Sequence, residues 1–311
     1  MKLNRTEKGV YAIAPTPFSD NGEIDFPSID RLVDFYKDAG VNGITVLGAL
    51  GEAPKLTTEE AEAVAERFIS RSDLPVIVGV SAPGYAAMGA LSAKVMSLGA
   101  AGVMIAPPAS LRTDDQIVNY YRGAAEAIGK DTPFVIQDFP LTFSVIMATD
   151  VIRRIAVENE NAVMLKHEDW PGLEKISQLR ALEEGGKIPH LSILCGFGGA
   201  FLDFEVERGA NGAMTGYCFP EMLVDVVRMS AEGDRDLAHD LFDAHLPLIR
   251  YEQQPGAAGL AVRKYVLKRR GVLTSDAQRS PGGKLTETAK AEVEYLLSRV
   301  ARHDPRAKLD A

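Results

Sequence analysis

The sequence predicts a parallel (β/α)₈ barrel, also called a TIM barrel, followed by a C-terminal helical extension, because short apolar runs alternate with amphipathic helices. Each run holds four to six residues rich in Val, Ile, Leu or Met. Most successive runs are separated by about 30 residues, the length of one strand-helix unit. Runs that are apolar throughout indicate parallel strands buried on both faces, and eight such units close into a barrel. The predicted strands begin near Val10, Gly43, Pro75, Gly102, Pro133, Ala162, Leu191 and Gly212.

The segments between the strands have the spacing and capping signals of helices. Apolar residues recur at helical spacing over residues 58–70, behind a capping signal at Thr57. Residues 115–128 and 148–157 follow the same pattern. An open doubly wound sheet is the alternative architecture, and it is disfavoured because no glycine-rich dinucleotide fingerprint follows the first strand.

After residue 231 the pattern becomes entirely helical. We assign residues 1–231 to the barrel and residues 232–311 to a helical extension that packs on the barrel or on a neighbouring subunit. The predicted helices span 234–251, 259–270 and 286–302, with breaks at 253–256 and 280–283.

Composition and charge exclude several classes of function. The chain has 311 residues, is 46% hydrophobic and 25% charged, and carries a net charge of -9, which is unfavourable for binding nucleic acid. One basic cluster stands out, and we interpret it as a solvated helix face: Arg263, Lys264, Lys268, Arg269 and Arg270.

The two cysteines, Cys195 and Cys218, do not form a disulfide framework, which fits a reducing compartment. The first residues lack an apolar core of signal-peptide length, and no stretch is long enough to span a bilayer. These features predict a cytoplasmic protein without a membrane partner.

Lys166 is the candidate nucleophile. It ends the apolar run 162–165, and desolvation in an interior strand disfavours the ammonium form, which allows Schiff-base chemistry on a carbonyl compound. Strand alternation places Glu168 on the same side as Lys166, as a candidate proton carrier, and His167 on the opposite side. The alternatives are an ion-paired lysine at a strand end and a simple salt bridge to Glu168.

Barrel enzymes carry their chemistry at the carboxyl ends of the strands, so those positions form one set of candidates. The glycines at 48 and 51 predict a turn whose backbone N–H groups bind a carboxylate, although such glycines are also common for steric reasons. The histidines lack metal-ligand spacing, and no Gly-x-Ser-x-Gly elbow occurs. The strand-end positions are Thr16, residues 48–52, Ser81 and residues 107–109, 137–138, 166–168, 196–199 and 215–217.

Four motifs resemble the family of dihydrodipicolinate synthase and N-acetylneuraminate lyase. They are Ala-Pro-Thr-Pro-Phe at 14–18, Gly-Ala-Leu-Gly-Glu at 48–52, Met-Leu-Lys-His-Glu at 164–168 and Gly-Ala-Asn-Gly-Ala-Met-Thr-Gly at 209–216. The resemblance implies a barrel that assembles as a dimer or tetramer. It also implies that Lys166 forms an imine with pyruvate or another 2-keto acid, that the 48–52 loop holds the carboxylate, and that no cofactor or metal is needed.

The chain departs from the synthase pattern at several positions. Ala49 and Leu50 stand where the family loop carries a hydroxyl-bearing pair. Gln137 and Ala109 align with two tyrosines of the family, and residues 141–143 replace the arginine that grips the second substrate of the synthase. These departures argue against the lysine-pathway synthase.

The chain resembles one branch of the family, the 2-keto-3-deoxy-L-arabonate dehydratases, more than it resembles the synthase. The shared motifs are Gln-Asp-Phe-Pro at 137–140, Lys-x-Glu at 166–168, Met-Thr-Gly-Tyr-Cys-Phe-Pro at 214–220 and Leu-Pro-Leu-Ile at 246–249. This similarity implies that Glu168 is the base or acid and that Gln137 and Asp138 orient sugar hydroxyls.

Three hypotheses remain: a lyase that dehydrates or cleaves a 2-keto-3-deoxy sugar acid, an authentic dihydrodipicolinate synthase, and a non-catalytic barrel that binds keto acids. The predicted catalytic residues are Lys166, Glu168, Gln137 and Asp138. The predicted substrate-binding residues are Gly48, Ala49, Leu50, Gly51, Glu52, Gly196, Thr215, Gly216 and Tyr217.

Overall fold

The protein is a closed parallel barrel in which each strand is hydrogen-bonded to the next and the last to the first. The computed structural model describes residues 1–170, 172–254 and 257–309. The strands are β1 Gly9–Ile13, β2 Gly43–Val46, β3 Val76–Gly79, β4 Gly102–Ile105, β5 Phe134–Asp138, β6 Ala162–His167, β7 Ser192–Cys195 and β8 Gly212–Thr215. Each begins within one residue of its predicted start, so the predicted barrel is confirmed.

Helices connect the strands and continue beyond the barrel. Those up to β8 are α1 Phe26–Asp38, α2 Thr58–Arg71, α3 Tyr85–Ser97, α4 Asp114–Ile128, α5 Pro140–Phe143, α6 Thr149–Glu158, α7 Leu173–Glu184 and α8 Leu202–Glu207. Those after β8 are α9 Pro220–Glu232, α10 Arg235–Glu252, α11 Ala257–Arg269 and α12 Glu287–Val300.

Local sequence signals account for where several helices begin. The Thr57 hydroxyl accepts the Glu60 N–H, and the Glu60 carboxylate accepts the Thr57 N–H, which is the capping box predicted from the sequence. Thr113 and Gln116 form a second capping box at the start of α4. Such boxes satisfy N–H groups that a helix leaves unpaired at its first turn.

Two apolar layers surround the strands. One lies between the strands and the helices, and the other fills the barrel beneath its mouth with side chains such as Ile13, Met164 and Met214. Every residue of the strands except Gly9 at the start of β1 is buried, which explains why the runs are apolar throughout rather than at alternate positions. Because these described side chains fill the interior, a ligand can enter the barrel from its mouth but not pass through it.

The helices after β8 pack against the barrel and against each other. Helix α10 contacts α8, α9, α11 and α12. In the break between α10 and α11, Pro255 and Gly256 lie outside the described residues. The boundary at residue 231 stays a prediction.

The interpretation of the basic cluster as a solvated helix face was wrong. Arg263 and Lys264 are 2% and 0% exposed, because α11 turns this side toward the mouth of the barrel. Each pairs with a buried carboxylate, Arg263 with Glu252 and Lys264 with Glu52. Lys268 remains on the surface and pairs with Asp276.

Candidate active site

Lys166 is close to the carboxyl end of β6 with its side chain at the barrel mouth. Met164, two residues earlier, belongs to the apolar filling of the barrel, and alternation directs Lys166 to the same side. The Nζ atom of Lys166 is 3.0 Å from Oε2 of Glu168, and both side chains are 6% exposed. The structure therefore brings the two predicted catalytic residues together.

Three neighbours fix the Glu168 carboxylate. Gln137 faces Lys166 in the register of β5 and β6, and its Nε2 donates to Oε2 of Glu168 at 2.9 Å. The N–H of Phe197 donates to Oε1 at 3.3 Å. A Cβ on Gly196 would lie 2.2 Å from Cγ of Glu168, so a side chain there would displace the carboxylate. The predicted residues Gln137 and Gly196 thus act on Glu168.

Asp138 faces away from the cavity, which corrects the prediction that it orients substrate hydroxyls. As the next residue after Gln137 in β5, it points outward, where its Oδ2 is 2.8 Å from Nζ of Lys175. Burial raises the pKa of Asp138 to about 6, against the opposing effect of Lys175. His167 lies on the same outer side; burial, with Lys175, lowers its pKa to about 4.

The loop after β2 is held in an unusual backbone conformation. Leu47 and Glu52 flank a 3₁₀ turn at Ala49–Gly51, and both have left-handed φ values, 56° and 55°. In residues other than glycine, left-handed φ values are unfavourable in free energy. They persist only where the surrounding structure fixes the backbone. Here the Thr16 hydroxyl donates to the Gly51 carbonyl at 2.6 Å. The backbone N–H groups of Ala49 and Leu50 find no acceptor in the part of the chain that the structure describes.

A cavity of about 660 Å³ opens above Lys166. Such a volume lies in the range of small-molecule sites, roughly 300–1,000 Å³. No tyrosine is found among the described residues of its lining. The predicted residues that line the cavity are Ala49, Leu50, Glu52, Gln137, Lys166, Glu168 and Thr215.

Tyr217 does not reach the cavity, which corrects its assignment to the substrate site. Its side chain is buried beside α10, with the hydroxyl 2.8 Å from Nδ1 of His245. Burial raises the pKa of this tyrosine well above its ordinary value. The predicted residues Gly48, Gly51 and Gly216 have no side chain that could contact a ligand. They contribute only backbone near the cavity.

The sequence analysis missed the wall that the C-terminal helices contribute. Glu252 and Gln253 at the end of α10 line the cavity together with Leu260 and Arg263 of α11. The Nε atom of Arg263 donates to Oε1 of Glu252. The basic cluster was the available signal, but local spacing does not show which of its members are buried.

No group of three or more His, Cys, Asp or Glu side chains that could hold a metal comes together within residues 1–170, 172–254 and 257–309. Over the same residues, no helix combines the length and apolar character needed to cross a membrane.

Comparisons with known proteins agree with this geometry. Residues 6–300 match the model of the dihydrodipicolinate synthetase family. The chain is 31% identical over 304 residues to the L-2-keto-3-deoxyarabonate dehydratase of Azospirillum brasilense, covering 96% of this chain and 95% of the relative. It is 29% identical over 240 residues to the 4-hydroxy-tetrahydrodipicolinate synthase of Aquifex aeolicus, covering 73% and 78%.

A crystal structure described as dihydrodipicolinate synthase from Rhodopseudomonas palustris superposes with a TM-score of 0.95 at 66% identity, over 96% of this chain and 99% of the other. The family members named in these comparisons are lyases and dehydratases, and this chain is accordingly an enzyme of the lyase type. The chain belongs to the dihydrodipicolinate synthetase family.

Proposed function

We propose that the protein is a Schiff-base lyase that removes water from a 2-keto-3-deoxy sugar acid. The observation that carries this proposal is the arrangement of Lys166, Glu168 and Gln137 at the base of a cavity whose described lining holds no tyrosine. The carboxylate of Glu168 is therefore the proton carrier nearest the reactive amine.

The first step joins the substrate to Lys166. Glu168, 3.0 Å from Nζ, takes a proton from the ammonium, and the free amine attacks the keto carbon. The resulting carbinolamine loses its hydroxyl with a proton from Glu168, which leaves a protonated imine and one molecule of water. The nearly complete burial of both side chains strengthens their mutual interaction.

The second step eliminates the C4 hydroxyl. Glu168 removes a proton from C3, and the electrons of the C–H bond form an enamine with the imine nitrogen as the acceptor. The enamine then expels the C4 hydroxyl, which leaves as water with the proton that Glu168 returns. Hydrolysis of the imine releases the dehydrated keto acid and restores Lys166. Gln137 holds the carboxylate at the same place throughout.

The relatives and the size of the cavity support this substrate class. The Azospirillum brasilense relative is named as a keto-deoxy-arabonate dehydratase, and the match covers nearly both chains. A cavity of about 660 Å³ accommodates a longer chain than pyruvate. Retro-aldol cleavage, in which the C3–C4 bond breaks, passes through an enamine of the same kind and is the alternative outcome for this site.

Reductive trapping tests the imine. Incubation with pyruvate or a 2-keto-3-deoxy sugar acid, followed by borohydride, should leave a stable adduct that maps to Lys166 by mass spectrometry. Lys166→Ala should lose the adduct, and Lys55→Ala, which changes another lysine of the same cavity, should keep it. An adduct on any other lysine would refute the assignment.

Synthase activity is the second candidate, favoured by the 66% identity to the structure described as dihydrodipicolinate synthase. Product analysis separates the candidates: release of water from a 2-keto-3-deoxy sugar acid supports the dehydratase, and condensation of pyruvate with aspartate semialdehyde supports the synthase. An adduct without turnover of any keto acid would support the non-catalytic binding barrel.

A further inference from the structure

We propose that Arg263 binds the carboxylate of the keto acid and so replaces the hydroxyl pair that the loop after β2 lacks. The proposal rests on the proposed function, because it concerns how the same cavity orients a 2-keto acid toward Lys166. It assigns a substrate contact to a residue of α11, outside the strand-end loops of the barrel.

The guanidinium of Arg263 is buried and only partly satisfied. Its side chain is 3% exposed, and Nε donates to Glu252. Nη1 is fully buried without a hydrogen-bond partner among the described residues. A buried donor without an acceptor is unfavourable, because it has lost its hydrogen bonds to water without replacing them. Arg263 lines the cavity, so its unpaired N–H group can donate to an acceptor on a bound ligand.

The guanidinium of Arg263 occupies the space that a side chain at residue 216 would need. A Cβ on Gly216 would lie 2.1 Å from Nη1 and 2.8 Å from Cζ of Arg263. Gly216 comes two residues after Met214, as Lys166 comes two residues after Met164, and both methionines belong to the filling of the barrel. Nη1 therefore lies beyond the filled interior, at the mouth, where Arg263 and Lys166 line the same cavity.

Arg263 and the loop after β2 flank the end of β1. The Ile13 carbonyl oxygen is 3.1 Å from the position of a Cβ on Gly216, and the Ala14 carbonyl oxygen is 3.5 Å from that of a Cβ on Gly51. A carboxylate at this edge can accept from the guanidinium on one side and from the N–H groups of Ala49 and Leu50 on the other. Charge-assisted contacts to arginine are among the stronger hydrogen bonds in proteins.

The carboxylates around the cavity are balanced by cations. Its described lining holds three cations and three carboxylates: Lys55, Lys166 and Arg263, and Glu52, Glu168 and Glu252. The buried Lys264, outside this lining, is a further cation, with Nζ 2.6 Å from Oε1 of Glu52. The acidic side chains therefore do not present a net negative charge to an incoming carboxylate.

Two variants weaken the contact in different ways. Arg263→Lys keeps a cation beside Glu252 but removes the terminal guanidinium nitrogens. Gly216→Ala keeps the arginine and places a methyl group where Nη1 now lies. Arg270→Lys is the matched control, because Arg270 follows α11 and pairs with Glu221 in a part-buried contact outside the cavity.

The measurement is the pyruvate concentration that gives half-maximal borohydride adduct on Lys166, compared with that for methyl pyruvate, which lacks the negative charge. We expect Arg263→Lys and Gly216→Ala to raise the value for pyruvate about tenfold or more. The value for methyl pyruvate should stay within about twofold, because that ester does not engage the guanidinium as an anion. Arg270→Lys should change neither value.

Equal trapping of pyruvate by both variants and by the wild type would overturn the proposal, as would equal losses for pyruvate and its ester. Calorimetric binding of pyruvate separates this contact from the lyase chemistry. Wild-type protein that binds pyruvate without an adduct, with weaker binding by Arg263→Lys, would refute the lyase and retain the contact. Absence of binding would refute both.

Discussion

Glu168 forms an ion pair with Lys166 and accepts a hydrogen bond from Gln137 on one oxygen, and it accepts a hydrogen bond from the Phe197 N–H on the other. In the proposed mechanism this one carboxylate, 3.0 Å from the amine, takes the proton of the ammonium and later the proton at C3. A carboxylate held by an ion pair and two hydrogen bonds also loses little mobility when the substrate binds.

Replacing Glu168 by Gln should separate imine formation from elimination. We expect Glu168→Gln to form the pyruvate adduct to its full extent at long incubation, while turnover of a 2-keto-3-deoxy sugar acid falls about 10²–10⁴-fold. Asp138→Asn is the control, since Asp138 faces Lys175 outside the cavity and Lys175 retains Asp169 as a partner. Turnover by Glu168→Gln at the wild-type rate would contradict the role of this carboxylate.

Gly196 should be intolerant of even one methyl group. In Gly196→Ala the Cβ would meet Cγ of Glu168 at 2.2 Å, so the carboxylate must move away from Lys166. A displacement of about 1 Å in a catalytic group can reduce turnover about 10²-fold. Steady-state kinetics should show this loss with an unchanged circular dichroism spectrum. Gly84→Ala, where a Cβ would meet nothing within 4 Å, should behave as the wild type.

At the scale of elements, α8 packs against α9 and β8 and carries a buried acid. Glu205 of α8 is 6% exposed and lies beside the thiol of Cys195 at the end of β7. Burial, together with the carboxylates of Asp203 and Glu168, raises the pKa of Glu205 to about 8. This carboxyl is therefore protonated at neutral pH in the folded protein.

The raised pKa makes the contribution of Glu205 to stability depend on pH. The folded state keeps a proton that the unfolded chain releases near pH 4.5, so stability falls as pH rises from about 4.5 to about 8. Glu205→Gln removes this loss. Its thermal midpoint should exceed that of the wild type by several degrees at pH 9 and by much less at pH 5. The same difference at both pH values would show that Glu205 does not titrate in this range.

At the scale of the whole molecule, Lys264 joins the C-terminal helices to the barrel mouth. Its Nζ donates to Glu52 at 2.6 Å and to the Ala277 carbonyl at 2.8 Å, and lies 4.7 Å from the ring centre of Phe18. One side chain thus connects α11, the loop after β2 and the segment that follows α11. The backbone strain at Glu52 persists because its carboxylate is held there.

Removing this cation should destabilise the fold. Lys264→Met leaves the buried Glu52 carboxylate with Lys55 as its remaining ion-pair partner, and we expect the free energy of unfolding to fall by about 3 kcal/mol. Lys268→Met, on the exposed part of the same helix, should cost less than about 1 kcal/mol. Urea unfolding of the two variants compares them directly. Equal losses would show that Lys264 does not connect these elements.

Assembly into a dimer or tetramer stays a prediction from family resemblance, and light scattering of the purified protein tests it. The position of α11 bears on the experiment, since its inner side lines the cavity. An interface that covers α10 to α12 would have to leave that side undisturbed.

The sequence by itself determined the strands, six of the twelve named helices and the position of Glu168 on the same side as Lys166. Apolar runs, capping boxes and strand alternation are all properties of neighbouring residues. The apolar runs predict the strand starts to within one residue, and a capping box predicts the start of α2. The same alternation also directs Asp138 away from the cavity once Gln137 is known to face Lys166.

Only the tertiary structure decided the remaining wall of the site. Arg263 and Glu252 come from helices after the barrel, and their burial depends on how those helices pack across the mouth. Local periodicity does not distinguish a charged residue in solvent from one that faces a buried carboxylate, because the partner lies far away in the chain. The interior of the barrel was therefore predictable from short-range patterns, whereas the charged wall opposite the strand ends depended on long-range packing.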